Sequence, residues 1–210
     1  MASAPADDFL VDHLARAPVL AVLRGLDSAA AVGVAEACWE AGVELVEVSL
    51  TADPDLVVVG AVCQRASELG HVAGAGTVCT ADQVRAAVRA GARFAVAPGL
   101  DSGAVEAAQA TALPYLPGVS TPSETQAALA LGCRTLKLFP AAALGADWLR
   151  ALAGPFPSAR FVAVGGITAA NASAFLAAGA IGVAIGSGLE PDNLRGLVTE
   201  LRAQIASQPK

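Results

Sequence analysis

Lysine is scarce in this sequence, and one lysine stands where a charged side chain is costly. The 210 residues contain two lysines, Lys137 and the C-terminal Lys210. Lys137 lies in the β-branched and apolar segment TLKLFP at 135–140, which predicts a buried strand. Burial disfavours the ammonium form, and a neutral amine can attack a ketone or aldehyde to form a Schiff base. The alternative is a structural lysine whose stem is buried and whose head reaches solvent.

A second charged residue, Glu47, stands in the apolar segment ELVEVSL at 44–50. Glu47 follows Gly42 by five residues, and Lys137 follows Gly132 by five. If the two strands begin alike, the side chains lie at a similar height, and strand alternation can turn both inward. A carboxyl group near a lysine in a low-dielectric interior can move protons, so Glu47 is a candidate general acid/base. A buried Glu–Lys pair that serves only packing specificity is the alternative.

Glycine-rich turns are the third candidate element. The segments VGGI at 164–167 and GSG at 186–188 each end an apolar strand pattern and precede a helical pattern. Glycine N–H groups and a helix N-terminus converge at such turns, which predicts a phosphate site. The turn GAGT at 74–77 offers further amides and a hydroxyl. Arg24 closes the first strand pattern, either as a donor to a carboxylate or phosphate, or as a surface arginine with a solvated head.

The elements that must position these residues follow one repeated pattern. Five Ala-rich helical patterns end in glycine, and an apolar strand pattern follows each one; the glycines are Gly42, Gly70, Gly91, Gly132 and Gly179. Strands are predicted at 19–24, 43–50, 71–75, 93–97, 114–117, 134–139, 161–164 and 181–186. Eight alternating βα units predict an α/β fold, the (βα)8 TIM barrel, with a short N-terminal helix over 7–16. We expect residues 1–210 to form a single TIM-barrel domain.

Composition narrows the functional class. The chain is 55% hydrophobic and has a formal net charge of −6. An acidic chain is poorly suited to nucleic acid, which is bound through clustered Lys and Arg. Apolar runs stay well short of the about 20 residues of a membrane span, and Asp7 and Asp8 stand where a signal peptide would be basic, so we expect a cytoplasmic protein without membrane association. The four cysteines form no C-x-x-C pair and the two histidines are far apart, which argues against a metal site.

Taken in order, the motifs resemble the 2-keto-3-deoxy-6-phosphogluconate (KDPG) and 4-hydroxy-2-oxoglutarate (KHG) aldolase family. They cover nearly the whole chain: LVEVSL around Glu47, GAGTV at 74–78, APGL at 97–100, LPGVST at 116–121, LKLFPA at 136–141, GPFP at 154–157, VGGI at 164–167 and IGS at 185–187. The resemblance implies a class I (Schiff-base) aldolase, a lyase that cleaves KDPG to pyruvate and glyceraldehyde 3-phosphate in the Entner–Doudoroff pathway. It also implies that no metal or other cofactor is used and that the protein is a homotrimer.

The same resemblance assigns roles to individual residues. Lys137 is the Schiff-base lysine and Glu47 the general acid/base. The substrate contacts that it implies are Thr77 in the pyruvyl pocket beside Gly76, the pocket walls Pro98 and Phe139, and the phosphate-binding positions Gly165, Gly166, Gly186 and Ser187. Thr51 stands where some members of the family have an arginine, so we expect carboxylate binding to fall to Arg24 and backbone amides.

Two sequence features favour a different substrate epimer. Val164 stands where the gluconate enzymes typically have threonine, and AVLRG at 21–25 resembles the 2-keto-3-deoxy-6-phosphogalactonate branch of the family. Two further alternatives stay open at this point. One is a phosphate-binding barrel without catalysis, and the other is a phosphosugar isomerase or thiamin-precursor synthase on a similar barrel, which would leave Lys137 unexplained.

Overall fold

Helices and strands alternate along the computed structural model, which describes residues 5–51, 55–186 and 191–207. The helices are α1 (Pro5–Arg16), α2 (Ser28–Glu40), α3 (Asp55–Leu69), α4 (Ala81–Arg89), α5 (Ser102–Ala110), α6 (Pro122–Ala130), α7 (Ala141–Leu144), α8 (Ala146–Ala153), α9 (Ala169–Ala177) and α10 (Pro191–Ala206). The strands are β1 (Val19–Leu23), β2 (Leu45–Ser49), β3 (Val72–Gly76), β4 (Ala95–Val96), β5 (Tyr115–Leu116), β6 (Gly118–Val119), β7 (Thr135–Leu138), β8 (Arg160–Val164) and β9 (Gly182–Ile185). In this part of the chain no helix is both long enough and apolar enough to cross a membrane.

The strands form one parallel sheet that curls into a barrel. Their order is β5-β4-β3-β2-β1-β9-β8-β7-β6. β5 and β6 stand at the two ends of this order, yet they are neighbours in the chain and only Pro117 separates them. Because β5 pairs with β4 and β6 pairs with β7, the chain itself completes the ring. The TIM-barrel fold expected from the sequence is therefore confirmed.

The fifth predicted strand, at 114–117, is divided into β5 and β6 and extends to Val119. Pro117 has no N–H to donate, which interrupts the ladder, but its carbonyl accepts a hydrogen bond from Lys137 N at 2.8 Å. On the other side Gly118 N donates to Gly99 O at 3.0 Å. A Cβ on Gly118 would lie 2.2 Å from the carbonyl oxygen of Pro98. Glycine at this position therefore allows the interrupted strand to lie against the turn after β4.

Strand alternation separates two hydrophobic layers. Outward-facing side chains such as Val46, Val48 and Leu136 pack with the surrounding helices. Inward-facing side chains fill the barrel, among them Leu20, Leu45, Phe94, Val96, Leu116, Val162 and Val164. Since side chains two apart on a strand share a face, Glu47 lies inward above Leu45, and Lys137 lies inward next to the outward-facing Leu136.

Helix α1 covers the N-terminal end of the barrel. Leu10 and Leu14 are each 1% exposed and belong to the interior layer. A Cβ on Gly182, the first residue of β9, would lie 2.7 Å from Cδ2 of Leu14, so the glycine makes room for the helix. Arg16 at the end of α1 also pairs with Glu44, which immediately precedes β2. With this end closed, the carboxyl ends of the strands are the side on which a site can form.

Candidate active site

A cavity of about 360 Å³ opens at the carboxyl ends of the strands. Seven of the predicted site residues line it, namely Arg24, Glu47, Lys137, Phe139, Gly165, Gly166 and Gly186. A larger cavity of about 550 Å³, next to α4 and α5, contains none of the predicted site residues. The smaller cavity is the candidate active site, because an amine, a carboxyl group and a guanidinium group meet there.

Lys137 lies on β7 with its side chain inside the barrel. The side chain is 6% exposed, and Nζ lies 5.0 Å from the centroid of the Phe139 ring. Burial lowers the pKa of Lys137 below its usual range; Glu47 acts in the opposite direction, and Arg24 lowers the pKa further. Compared with a lysine in water, this environment favours the neutral and nucleophilic amine.

Glu47 lies on β2 and is 2% exposed. Desolvation raises the pKa of Glu47 to about 7, although Lys137 and Arg24 both act to lower it. A Cβ built on Gly76 would lie 2.6 Å from Oε1, so the carboxyl group occupies space that this glycine leaves open on β3. Oε2 is buried and has no hydrogen-bond partner among the described residues. A carboxyl group with a pKa near neutrality can both give and take a proton at physiological pH.

Glu47 and Lys137 line the same cavity without forming an ion pair. Each acts on the pKa of the other, but within the described ranges no salt bridge joins them. The direct Glu–Lys pair that the sequence left open as a purely structural alternative is therefore absent from this part of the chain. The amine and the carboxyl group therefore both face the cavity without being bonded to each other.

Gly165 and Gly166 form the turn after β8, with φ angles of 94° and 73°. These angles lie in the left-handed region that favours glycine. A Cβ on Gly165 would lie 2.8 Å from the Phe139 ring, and one on Gly166 would lie 2.7 Å from Cβ of Ala142. Asn171 Nδ2 donates to Gly166 O at 3.0 Å, which ties the turn to α9. The turn leads to the N-terminus of this helix, where backbone N–H groups are available to an anion.

Arg24 follows β1 and lines the cavity with an exposed side chain. The two interpretations left open by the sequence are thus combined, because the guanidinium group is in contact with solvent and also forms part of the cavity wall. Its charge acts on the pKa values of both Glu47 and Lys137. A planar guanidinium at this position can bind a carboxylate or a phosphate in a bidentate manner.

Two of the predicted contacts that lie within the described residues are not part of the cavity wall. Thr77 and Pro98 follow β3 and β4, and neither lines the cavity. Thr77 has a φ angle of 59°, which is rare for a β-branched residue and shows that the backbone beside Gly76 is constrained. Ser187 lies outside the described residues.

Three apolar residues of the cavity, Val22, Ile167 and Ala184, were not identified from the sequence. Val22 lies two residues before Arg24, and Ala184 lies two residues before Gly186. Strand alternation from these two predicted site residues could have identified Val22 and Ala184 as inward-facing neighbours. Ile167 belongs to the turn after β8, where no periodic pattern predicts the direction of a side chain.

The cavity offers groups for imine formation, proton transfer and anion binding. Among the described residues that line it, the titratable side chains are one amine, one carboxyl group and one guanidinium group. Across residues 5–51, 55–186 and 191–207, no group of three or more His, Cys, Asp or Glu side chains is arranged to hold a metal ion. An amine that loses its proton easily can form a Schiff base, and the carboxyl group can supply and accept the protons that this chemistry requires.

Comparison with known proteins agrees with this chemistry. The family model described as "Aldolase: KDPG and KHG aldolase" matches residues 10–197. The chain belongs to this aldolase family. It is accordingly an aldolase, a lyase of carbon–carbon bonds, and the resemblance noted in the sequence is confirmed.

Relatives within the family carry two kinds of name. The KHG/KDPG aldolase of Escherichia coli strain K12 is 36% identical over 179 residues, which cover 85% of this chain and 83% of that protein. A probable 2-dehydro-3-deoxy-6-phosphogalactonate aldolase of Rhizobium meliloti strain 1021 is 35% identical over 174 residues, covering 82% and 81%. The crystal structure of a Legionella pneumophila KDPG aldolase, with pyruvate captured as a covalent carbinolamine intermediate, has a TM-score of 0.79 at 31% identity and covers 95% of this chain and 98% of that one.

Proposed function

We propose that this aldolase cleaves KDPG to pyruvate and glyceraldehyde 3-phosphate through a Schiff base on Lys137. The observation that carries the proposal is a buried amine with a lowered pKa in the same cavity as a carboxyl group with a raised one. The name of the Escherichia coli relative supports the substrate. The carbinolamine captured in the Legionella enzyme supports the covalent chemistry.

Schiff-base formation uses Lys137 and Glu47 in turn. The neutral amine of Lys137 attacks the C2 ketone of the substrate, and proton transfer gives a carbinolamine. Protonated Glu47 then donates to the C2 hydroxyl, the C–O bond breaks, and water leaves as the nitrogen lone pair forms the C=N bond. Because its pKa is about 7, Glu47 is available in both protonation states at neutral pH.

Carbon–carbon cleavage uses the ionised form of Glu47. The carboxylate takes the proton of the C4 hydroxyl, directly or through a water, and the electrons of the C3–C4 bond move into the protonated imine. Glyceraldehyde 3-phosphate leaves, and an enamine of pyruvate stays bound to Lys137. Protonation at C3 and hydrolysis of the imine release pyruvate and restore the free amine.

The remaining cavity residues are proposed to position the two anionic ends of the substrate. The Gly165–Gly166 turn at the N-terminus of α9 suits the phosphate, together with Gly186 and, from the sequence, Ser187. Arg24 and backbone amides suit the carboxylate. Thr77 and Pro98 stay predictions based on the family resemblance. Holding both ends lets binding energy from non-reacting groups orient the reacting carbons.

Two wider properties are proposed on the same resemblance and on composition. The homotrimer is proposed from the family resemblance, and the cytoplasmic location from the acidic composition of the chain. Neither enters the chemistry derived above, which uses residues of one chain.

Borohydride trapping with pyruvate tests the Schiff base. Reduction in the presence of pyruvate should add one reduced pyruvyl group to the wild type, on the peptide that contains Lys137. Lys137→Arg keeps the positive charge but should take up no label and should not cleave substrate, because a guanidinium does not deprotonate. Lys210→Arg replaces the other lysine of the chain and is the matched control, expected to label like the wild type. Substrate cleavage by Lys137→Arg at a comparable rate would show that the mechanism is wrong.

The galactonate epimer is the second candidate substrate, and Val164 is the observation that favours it. Val164 is 6% exposed and lines the cavity beside Gly165. A threonine there could hydrogen-bond a substrate hydroxyl of one configuration, whereas valine offers only methyl groups. A neutral hydrogen bond contributes roughly 0.5 to 1.5 kcal/mol, so the preference it controls is several-fold.

We therefore expect the wild type to cleave both C4 epimers, with the galactonate form favoured or nearly equal. Val164→Thr should move the ratio of kcat/KM several-fold towards the gluconate form. Val22→Thr adds a hydroxyl elsewhere on the cavity wall and should leave the ratio close to that of the wild type. The measurement is pyruvate release from each epimer. Strong rejection of the galactonate form by the wild type would mean that other residues set the stereochemistry.

A further inference from the structure

Ser49 has a buried hydroxyl group and lies two residues along β2 from Glu47. The side chain is 2% exposed, and Oγ makes no hydrogen bond within the described part of the chain. Leaving a buried polar group unpaired costs free energy, so an unpaired group in a native interior calls for a functional explanation. Residues two apart on a strand share a face, so Ser49 and Glu47 both face the interior of the barrel.

The side chains of Ser49 and Glu47 converge on Gly76. Ser49 and Gly76 are paired in the register of β2 and β3. A Cβ at Gly76 would lie 3.4 Å from Ser49 Oγ and 2.6 Å from Glu47 Oε1. Because glycine has no side chain, residue 76 places no side-chain atom between the hydroxyl and the carboxyl group. The hydroxyl and Oε1 thus border the same space, and rotation about the side-chain bonds of Ser49 and Glu47 can change the distance between them.

The charged groups that act on Glu47 come from other elements of the barrel. They are Lys137 on β7 and Arg24 after β1. On the adjacent strand β3, Gly76 faces the side chain of Glu47 and Gly74 is paired with Glu47 in the strand register. β3 therefore presents no titratable group to Glu47 there. Ser49 is thus a neutral donor next to the carboxyl group, in addition to the two cations.

We propose that Ser49 is a positioning residue for Glu47, and that its hydroxyl donates a hydrogen bond to Oε1 when the carboxyl group is ionised. The hydrogen bond holds Oε1 against Gly76 and leaves Oε2 for proton transfer to the substrate. It also stabilises the charged form at the moment when Glu47 must accept the C4 hydroxyl proton. This inference rests on the proton-transfer role proposed for Glu47.

Titration of the Glu47 carboxyl group tests the contact directly. Difference infrared spectroscopy follows the protonated carboxyl band, and Glu47→Gln identifies that band. A hydrogen bond to the ionised form lowers a carboxyl pKa, so Ser49→Ala should raise the midpoint by about one pH unit. Ser49→Thr keeps the hydroxyl and should restore the midpoint of the wild type. In parallel, kcat/KM of Ser49→Ala should fall about tenfold at neutral pH and recover at higher pH, which a misfolded barrel would not do.

Thr125→Ala is the matched control, because it removes another fully buried hydroxyl. Thr125 Oγ1 donates to Thr121 O at 3.0 Å on α6, away from the cavity. Its loss should leave the Glu47 midpoint unchanged. An unchanged Glu47 midpoint in Ser49→Ala overturns the inference. An equal shift of the midpoint in Ser49→Ala and Ser49→Thr also overturns it, because repacking around residue 49, and not loss of the hydroxyl, is then the cause of the shift. The infrared titration needs no substrate, so it is independent of the borohydride trapping. If the wild type fails to trap pyruvate but Ser49→Ala still shifts the Glu47 midpoint, the proposed Schiff-base chemistry is refuted and the hydrogen bond from Ser49 is still supported.

Discussion

Gly76 contributes to the site because it has no side chain. Glu47 Oε1 and Ser49 Oγ both lie around the point where a Cβ of residue 76 would stand. Gly76 does not have a positive φ angle, so an alanine can adopt its backbone conformation without strain. The conformational freedom of glycine is therefore not what this position requires. It requires space for the carboxyl group of Glu47.

Gly76→Ala should reduce activity while the fold survives. The new Cβ would overlap Oε1, and the carboxyl group must turn away because it is the mobile end of a flexible side chain. A displacement of about 1 Å in a catalytic group costs about 100-fold in rate, and we expect kcat to fall by that order. Gly33→Ala is the control, since a Cβ on Gly33 in α2 would meet nothing within 4 Å. Wild-type kcat in Gly76→Ala would show that the position of Glu47 is not critical.

The two reacting residues were predictable because each is a charged residue in an apolar strand. Lys137 and Glu47 stood out by that contrast alone, and the structure brings them to one cavity. The contact of Glu47 with Gly76 was not predictable in the same way. It depends on strand register and on a side-chain rotamer, and neither is encoded in a local pattern. Thr77 likewise has a backbone conformation that composition does not predict.

At the scale of helices and strands, the glycines correctly predicted where helices end. The five glycines predicted to end helices, Gly42, Gly70, Gly91, Gly132 and Gly179, all have positive φ angles between 75° and 101°. Helix α6 also begins with a capping box, in which the side chains of Thr121 and Glu124 accept hydrogen bonds from each other's backbone N–H groups. Such signals are local, because each depends on the conformation of one residue or one turn.

The division of the fifth predicted strand is a feature that local sequence patterns do not predict. Its apolar pattern predicts one strand, but Pro117 supplies no N–H, and the segment must pair with β4 on one side and β7 on the other. Pro117 O and Gly118 N each bond to a different neighbour, Lys137 N and Gly99 O. Where the barrel closes is a property of the whole ring, so the sequence of this segment alone does not predict it. The closure also holds the backbone of Lys137, which links the fold directly to the site.

On the scale of the whole molecule, the barrel buries a carboxyl group at a cost that depends on pH. The folded state raises the pKa of Glu47 from its ordinary value of 4.5 to about 7, because burial disfavours the charge. Between these two values the unfolded chain ionises Glu47 while the folded protein keeps the proton. The contribution of the protonated carboxyl group to stability is therefore complete below pH 4.5 and is lost as the pH rises to about 7.

Glu47→Gln should remove this dependence. The free energy of unfolding of the wild type, minus that of Glu47→Gln, should decrease by up to about 3 kcal/mol between pH 4.5 and 7 and then level off. Urea denaturation of both proteins at several pH values measures the difference, in which the other titrating groups largely cancel. Glu124→Gln is a suitable control. Partial burial raises the pKa of Glu124, but hydrogen bonds from Ser120 and Thr121 outweigh this effect and keep the pKa below the ordinary 4.5. The free energy of unfolding of the wild type, minus that of Glu124→Gln, should therefore stay nearly constant over the same pH range. If the Glu47→Gln difference is equally flat, Glu47 is ionised in the folded state throughout this pH range, and the barrel does not hold the neutral acid that the mechanism requires near neutral pH.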